Sequence, residues 1–321
     1  MKHISKYMNK AFVMVAIACI AFIAASCEHK ELFMQQPQKQ MVKIAFDWSN
    51  LRVGDSKPEG MSLYFYSDRT KEMVKYDIST ATDENMIEIY SGIYDLICYN
   101  NDSPAIASRF TESLKEHDIL AMELNNQTPT MYGYNCDVDI LYEEEGYNGP
   151  VQVITISPKR INSSYIIMVH NIDAVSNAIK WSASLSGLTN SIYASSRKCS
   201  ENASESVITF PLSESKVNNM CTNTIITFGQ MFNSKDRPLN KLFITALTSD
   251  KTVVYYLFNV TPQIENAIDK NNIIISVDLE NATPLQPGDP DYPSDAPDYV
   301  EGGINAGVDE FPNENIDIIV K

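Results

Sequence analysis

Histidine is the side chain best suited to move protons near neutral pH, and this 321-residue chain has only four. His3 and His29 precede the first strand-like sequence. His117 follows Lys115-Glu116 and is expected at the surface. His170 stands beside Val169 in an apolar run and is expected to be a satisfied core or edge residue rather than a base. No G-x-S-x-G, H-E-x-x-H, G-x-x-x-x-G-K or G-x-G-x-x-G motif occurs, so the short signatures of a nucleophile elbow, a zinc protease or a phosphate cradle are missing. Asp137 and Asp139, two apart on a strand, share a face. With Glu143, Glu144 and Glu145 they offer the oxygen ligands a hard cation takes. Asp289 and Asp291 form a second such pair. Neither has EF-hand spacing, so a solvated acidic edge and a charged spacer are the favoured uses. Glycosidase chemistry needs two carboxylates facing across a cleft, which sequence adjacency does not supply. The expectation is no catalytic residue, no metal and no cofactor.

Six cysteines are present. Cys19 and Cys27 lie at the N-terminus, which leaves Cys98, Cys136, Cys199 and Cys221. Four cysteines allow three pairings. Local pairing of Cys98 with Cys136 and Cys199 with Cys221 would place one disulfide in each half of the chain; free thiols behaving as small hydrophobes are the alternative. No C-x-x-C occurs, which disfavours a structural zinc site. Tyr64, Tyr66, Tyr132, Tyr134, Tyr142 and Tyr147 could stack on sugars, but tyrosine also suits half-buried strands.

The N-terminus carries the strongest signal. Lys2, Lys6 and Lys10 head an apolar run, Ala11 to Ala25, that ends in Ala24-Ala25-Ser26-Cys27. The run is short of the ~20 residues of a spanning helix. This order of features resembles a bacterial lipoprotein signal peptide. The resemblance implies removal of residues 1–26, a diacylglycerol on the Cys27 thiol and acylation of the new amine. One acyl chain anchors marginally, whereas three chains at about 0.8 kcal/mol per buried CH₂ hold firmly. Residues 27–40 read as a polar tether. Its acidic residues Glu28 and Glu31 resemble the surface-export signal of some Bacteroidetes lipoproteins, which implies an outer-membrane anchor facing the cell surface. Loss of residues 1–26 leaves 22 basic against 41 acidic residues, a net charge of −19. Such a chain repels nucleic acid.

The dominant hydrophobic period is two. Val42, Ile44, Phe46 and Trp48 alternate with polar neighbours, as do Met61, Leu63 and Phe65. Gly54-Asp55, Pro58-Glu59-Gly60 and Asn100-Asn101-Asp102 punctuate the runs. This spacing predicts antiparallel β-sandwiches. Phe110 to Leu124 could hold a helical turn. The polar break Glu143 to Pro150 divides a domain at 41–150 from one at 151–282. The second has strands expected from Val151 to Ser157, Tyr165 to His170 and onward to Ile273 to Leu279. Two short helices are expected, at Asp173 to Ala178 and Pro262 to Asp269, capped by Asp173 and Thr261. Residues 283–301, dense in Pro and Asp, read as an extended spacer. Residues 302–321 end in Ile316, Ile318 and Val320, a strand in need of a sheet edge.

Together these features resemble the fimbrillin-like lipoproteins of Bacteroidetes, in a group of unknown function related to fimbrial anchor and accessory proteins. The residues that carry the resemblance are Lys30-Glu31-Leu32, Asp47-Trp48-Ser49, Pro58-Glu59-Gly60-Met61, Gly92 to Asp102 and Gly302-Gly303 to Val320. The resemblance implies an all-β chain of two tandem transthyretin-like sandwiches and a non-enzymatic role. Its partners would be fimbrial subunits or a host or bacterial surface ligand, joined by strand addition. In polymerising relatives a cut after an arginine frees an edge; Arg52 lies in the corresponding loop and is expected to stay uncut. A glycan-binding lipoprotein is the alternative function, with an exposed aromatic platform as its mark. An enzyme is the third, requiring His117 or His170 to meet a carboxylate and a nucleophile.

Overall fold

Alternating residues form strands over about half of the described residues. A computed structural model describes residues 37–52, 54–82, 85–101, 119–122, 125–143, 149–231 and 238–293. Cys27, His117, Tyr147 and the strand of Ile316, Ile318 and Val320 lie outside them. Among the described residues no helix is long and apolar enough to cross a membrane.

The first half contributes β1 (Lys39–Phe46), β2 (Gly60–Ser67), β3 (Met73–Ser79), β4 (Asn85–Tyr90), β5 (Gly92–Asn100), β6 (Ile119–Ala121), β7 (Tyr132–Ile140), β8 (Gln152–Ile156) and β9 (Lys159–Arg160). The second contributes β10 (Ser163–His170), β11 (Ala178–Thr189), β12 (Ser191–Tyr193), β13 (Glu205–Pro211), β14 (Ser213–Ser215), β15 (Met220–Thr227), β16 (Lys241–Thr248), β17 (Val253–Asn259) and β18 (Asn272–Asp278). In the first sandwich the sheet β4-β1-β8 packs against β3-β2-β5-β7-β9 over a core that includes Val42, Ile44, Leu63, Phe65, Leu96 and Ile156. In the second, β14-β15-β10-β18 packs against β13-β11-β16-β17 over Tyr165, Trp181, Phe210, Ile244 and Ile275.

The two sandwiches match strand for strand once the accessory strands β6, β9, β12 and β14 are set aside. In each, the opening strand (β1 or β10) lies between an antiparallel partner (β4 or β15) and the closing strand, which runs parallel to it (β8 or β18). In each, the other sheet runs third, second, fifth, sixth. The expected sandwiches are therefore present, but two of their pairings are parallel. The reason is topological: opening and closing strands meet in one sheet only after the chain has crossed to the other, and a parallel pair needs such a crossover.

Several sequence expectations need correction. Val151 to Ser157 was expected to open the second domain, yet β8 pairs with β1, Ile44 opposite Ile154, and closes the first sandwich. A polar Gly/Pro stretch marks a turn whether it lies within a domain or between two. We assign the seam to Ile161-Asn162, between β9 and β10. Within Phe110 to Leu124, residues Ile119–Ala121 are strand, not helix. Asp173 to Ala178 shrinks to a single 3₁₀ turn, Ile172–Ala174, with Asn171 before it and no side-chain cap. The later helix spans Thr261–Glu265, and Val260 takes the capping position. The Thr261 hydroxyl oxygen instead accepts the Asn240 N–H at 2.8 Å. The start of the spacer also lies against the second sandwich. Leu285 N–H donates to Tyr255 O at 2.8 Å, Lys241 pairs with Asp291 at 2.7 Å, and Tyr292 meets the Tyr255 ring edge-on at 5.5 Å.

Candidate functional site

The connection from β5 to β7 crosses onto the second sandwich. β6 pairs antiparallel with β12, Leu120 opposite Ile192, and Met122 N–H donates to Asn190 O at 2.8 Å. Asn125 N–H donates to Ser206 Oγ at 2.8 Å, and Asn125 Oδ1 accepts Val207 N–H at 3.0 Å. Thr128 N–H donates to Ile226 O at 2.8 Å, so the segment also covers part of the β15 edge. Its apolar side chains, with Ile161, Ile192 and Phe228, form a third buried cluster over Tyr64 and Tyr99, whose rings lie 5.2 Å apart. Strand β2 is consequently buried on both faces through its centre.

Polar side chains seal this junction. Asn162, fully buried, accepts from Met131 N–H (3.2 Å) and Arg160 Nε (3.3 Å) at Oδ1. It donates from Nδ2 to Thr128 Oγ1 (2.8 Å) and Pro129 O (2.5 Å). Arg160, also buried, lies 3.7 Å from Asp55 and bonds Ser164 Oγ. Asp55 in turn accepts the Tyr132 hydroxyl at 2.7 Å. Burial, with Asp55 beside it, pushes the Tyr132 phenol well up. Arg52 reaches from the β1–β2 loop to Asp269 after the short helix, donating twice at 2.6 and 2.7 Å. That fork raises the Arg52 guanidinium and holds the Asp269 carboxyl below its ordinary range. The only sequence signal for this seam was the loop position of Arg52. A buried Asn between Ile161 and Ser163 looks like any turn residue.

The edges differ in how they are covered. The Gln263 amide accepts Ser276 N–H (2.8 Å) and donates to Ser276 O (3.0 Å), standing where a strand beside β18 would bond. Among the described residues no strand lies beyond β8. Ile156 O faces β1, accepting Asp47 N–H at 2.8 Å. Since alternate residues of a strand point their backbone groups the same way, Val153 and Thr155 turn theirs outward.

The four cysteines outside the N-terminus are free. Cys98 lies opposite Tyr134, and Cys136 opposite Leu96. They are therefore one diagonal apart, about 7–8 Å, beyond the roughly 4.4–6.8 Å between Cα atoms that a disulfide takes. Cys221 is buried in β15, while Cys199 lies in a loop with its thiol on Gln230 O at 3.4 Å. Burial pushes the Cys98 thiol up, and the Cys221 thiol up to about 12, which keeps both protonated and inert. Asp137 stands opposite Asp95 on the outer face of β5-β7. Burial, and then the neighbouring Asp137, raises the Asp95 carboxyl. Asp289 caps its own turn by accepting Gln286 N–H at 2.7 Å, and Asp291 is held by Lys241. Among the described residues no three His, Cys, Asp or Glu side chains are placed to hold a metal.

His170 Nε2 lies 3.0 Å from Ser276 Oγ on the outer face of β10-β18. The nearby Asp278 carboxylate, held low chiefly by Asn171, accepts from Asn171 Nδ2 at 2.8 and 2.9 Å and from Glu280 N–H at 2.8 Å. Of the tyrosines named from sequence, the five that are described are not exposed: Tyr64 and Tyr132 are buried, and Tyr66, Tyr134 and Tyr142 are half-buried.

A family model described as "Domain of unknown function (DUF5119)" matches residues 26–210. Three solved structures share the fold. A proposed adhesin from Bacteroides ovatus is 17% identical with a TM-score of 0.56, covering 81% of this chain and 94% of its own. A second from the same species is 8% identical with a TM-score of 0.51, covering 78% and 96%. A proposed polysaccharide-binding protein from Bacteroides thetaiotaomicron is 11% identical with a TM-score of 0.50, covering 74% and 90%. No curated protein matches the chain.

Proposed function

The chain belongs to the DUF5119 family, and we propose that it is a non-enzymatic, lipid-anchored cell-surface subunit. Its role is that of an anchor or accessory component of a fimbrium-type assembly. Cys27 holds it to the outer membrane, and neighbouring subunits join it by β-strand addition. One observation carries the assembly reading: β18, β17 and β15 have their edges occupied by Gln263, Leu285 and Thr128, whereas among the described residues no strand lies beyond β8. An uncovered edge is a template for another chain. The adhesin descriptions of two proteins sharing the fold agree with this role. Thr155→Pro tests it, because proline removes the outward N–H while leaving the β1 ladder intact. Surface-labelled cells carrying the full chain should yield co-purifying fimbrial subunits, and cells carrying the variant should not. Equal recovery rejects the β8 edge; no subunit with either chain rejects the assembly role. The polysaccharide-binding description of the third protein supports the second reading, a glycan-binding lipoprotein, which a glycan array would detect.

A further inference from the structure

We propose that the outer face of the β4-β1-β8 sheet rests on the lipid leaflet that holds Cys27, a proposal that depends on the lipid-anchor reading above. A sheet with one buried face ordinarily turns polar side chains to water on the other. Here each of the three strands presents an apolar group outward: Met41 of β1 is 48% exposed, Met86 and Tyr90 of β4 are 43% and 49%, and Val153 of β8 is 53%. Lys43 stands between Met86 and Val153, and Glu88 opposite Met41, so apolar and charged side chains interleave across the face. Exposed apolar side chains interleaved with lysines make an amphipathic surface, the kind that meets a lipid interface.

Three features select lipid as the occupant. The first is chain length. Only residues 28–38 separate Cys27 from Lys39 at the start of β1, and a chain of that size reaches at most about 36–40 Å. The second is charge. The whole chain has a net charge of −16, yet this face carries Lys39 and Lys43 against Glu88. That local excess of positive charge suits lipid phosphates. The third is side-chain type. Lysine and tyrosine bury an apolar body and keep a polar tip in water, the chemistry of a membrane interface. Lys39 already lies 6.0 Å from the Tyr90 ring centroid and 2.7 Å from Glu88, at the rim of the apolar patch.

The test uses the full acylated protein in vesicles of phosphatidylethanolamine and phosphatidylglycerol doped with a photoactivatable phospholipid. Adducts are expected on peptides containing Met41, Met86 or Val153. None is expected at Ile179 or Ile274, which are as exposed (54% and 56%) but lie in the second sandwich. The double variant Met86→Asp, Val153→Asp should lose the adducts, including those at Met41, with Cys27 still acylated and thermal unfolding unchanged. Adducts spread evenly over all exposed apolar sites would overturn the proposal. So would their absence from acylated protein, their persistence in the double variant, or cross-links between copies in their place. The mass of Cys27 separates the two failures: an unmodified thiol removes the anchor and the face with it, whereas an acylated thiol without adducts removes the face alone.

Discussion

Replacing Asn162 by alanine should uncouple the two sandwiches. The side chain is fully buried and uses both donors and its acceptor in four hydrogen bonds, three of them to residues 128–131 of the crossing segment. Alanine leaves the Met131 N–H without its partner and the Thr128 hydroxyl without a donor. A buried polar group so orphaned costs about 1–3 kcal/mol. Pro129 O keeps a second lone pair, and Arg160 keeps Asp55 and Ser164, so these two add little. The two groups sum to about 2–6 kcal/mol, a large share of the roughly 5–15 kcal/mol that holds a typical protein folded. The chain has two tryptophans, and the fold puts one in each sandwich. Trp48 packs against the first core and Trp181 lies in the second. Trp48→Phe and Trp181→Phe thus give single-probe forms, and each change removes an indole N–H that has no partner. In urea both probes should report one shared midpoint for the parent chain. Asn162→Ala should move that midpoint down by about 1–2 M, taking a slope of about 2–3 kcal/mol per M, and should separate the two probes. Two distinct midpoints in the parent, or a shift in the variant under about 0.3 M, would refute the coupling.

Two further perturbations read the electrostatics. Asp269, held low by Arg52, contributes stability that is present above the unfolded carboxylate value near 4 and is lost as pH falls through its lower folded value. Asp269→Asn should remove that acid-side loss, lower stability at pH 7 by about 0.5–1 kcal/mol for this half-exposed pair, and speed trypsin cleavage after Arg52. An unchanged cleavage rate would show that the ion pair does not guard the loop. Asp95 behaves oppositely. Its raised carboxyl contributes stability below the unfolded value and loses it as pH rises through the folded one. Asp95→Asn should therefore stabilise the chain at pH 7 by about 0.2–1 kcal/mol, the range for facing like charges, with no gain near pH 3. A gain independent of pH would point to packing instead.

The period-two runs were enough to identify β1, β2, β5 and most later strands, because alternation records which face of a strand is buried. They do not record what buries it. Ser62 and Tyr64 read as the wet face of β2 and became the floor of the junction. Phe110 to Leu124 read as room for a helical turn, and within it Ile119–Ala121 is a strand, since three residues carry no period and their pairing with β12 comes from a segment about 70 positions away. The free cysteines follow from a register that no spacing reveals: Cys98 and Cys136 sit on neighbouring strands but one diagonal apart.

By itself, then, the order of residues determined the all-β class, two repeated modules and the expectation of a lipid on Cys27. Each of these is written in local pattern: side-chain alternation, turn residues, a basic head before an apolar run. The tertiary structure alone decided the parallel pairing of opening and closing strands, the crossing of the β5–β7 connection, the Asn162 seam and what covers the edges of β15, β17 and β18. Those depend on contacts between residues far apart in sequence, where backbone groups must find partners in space and the nearest partner is set by the fold around them.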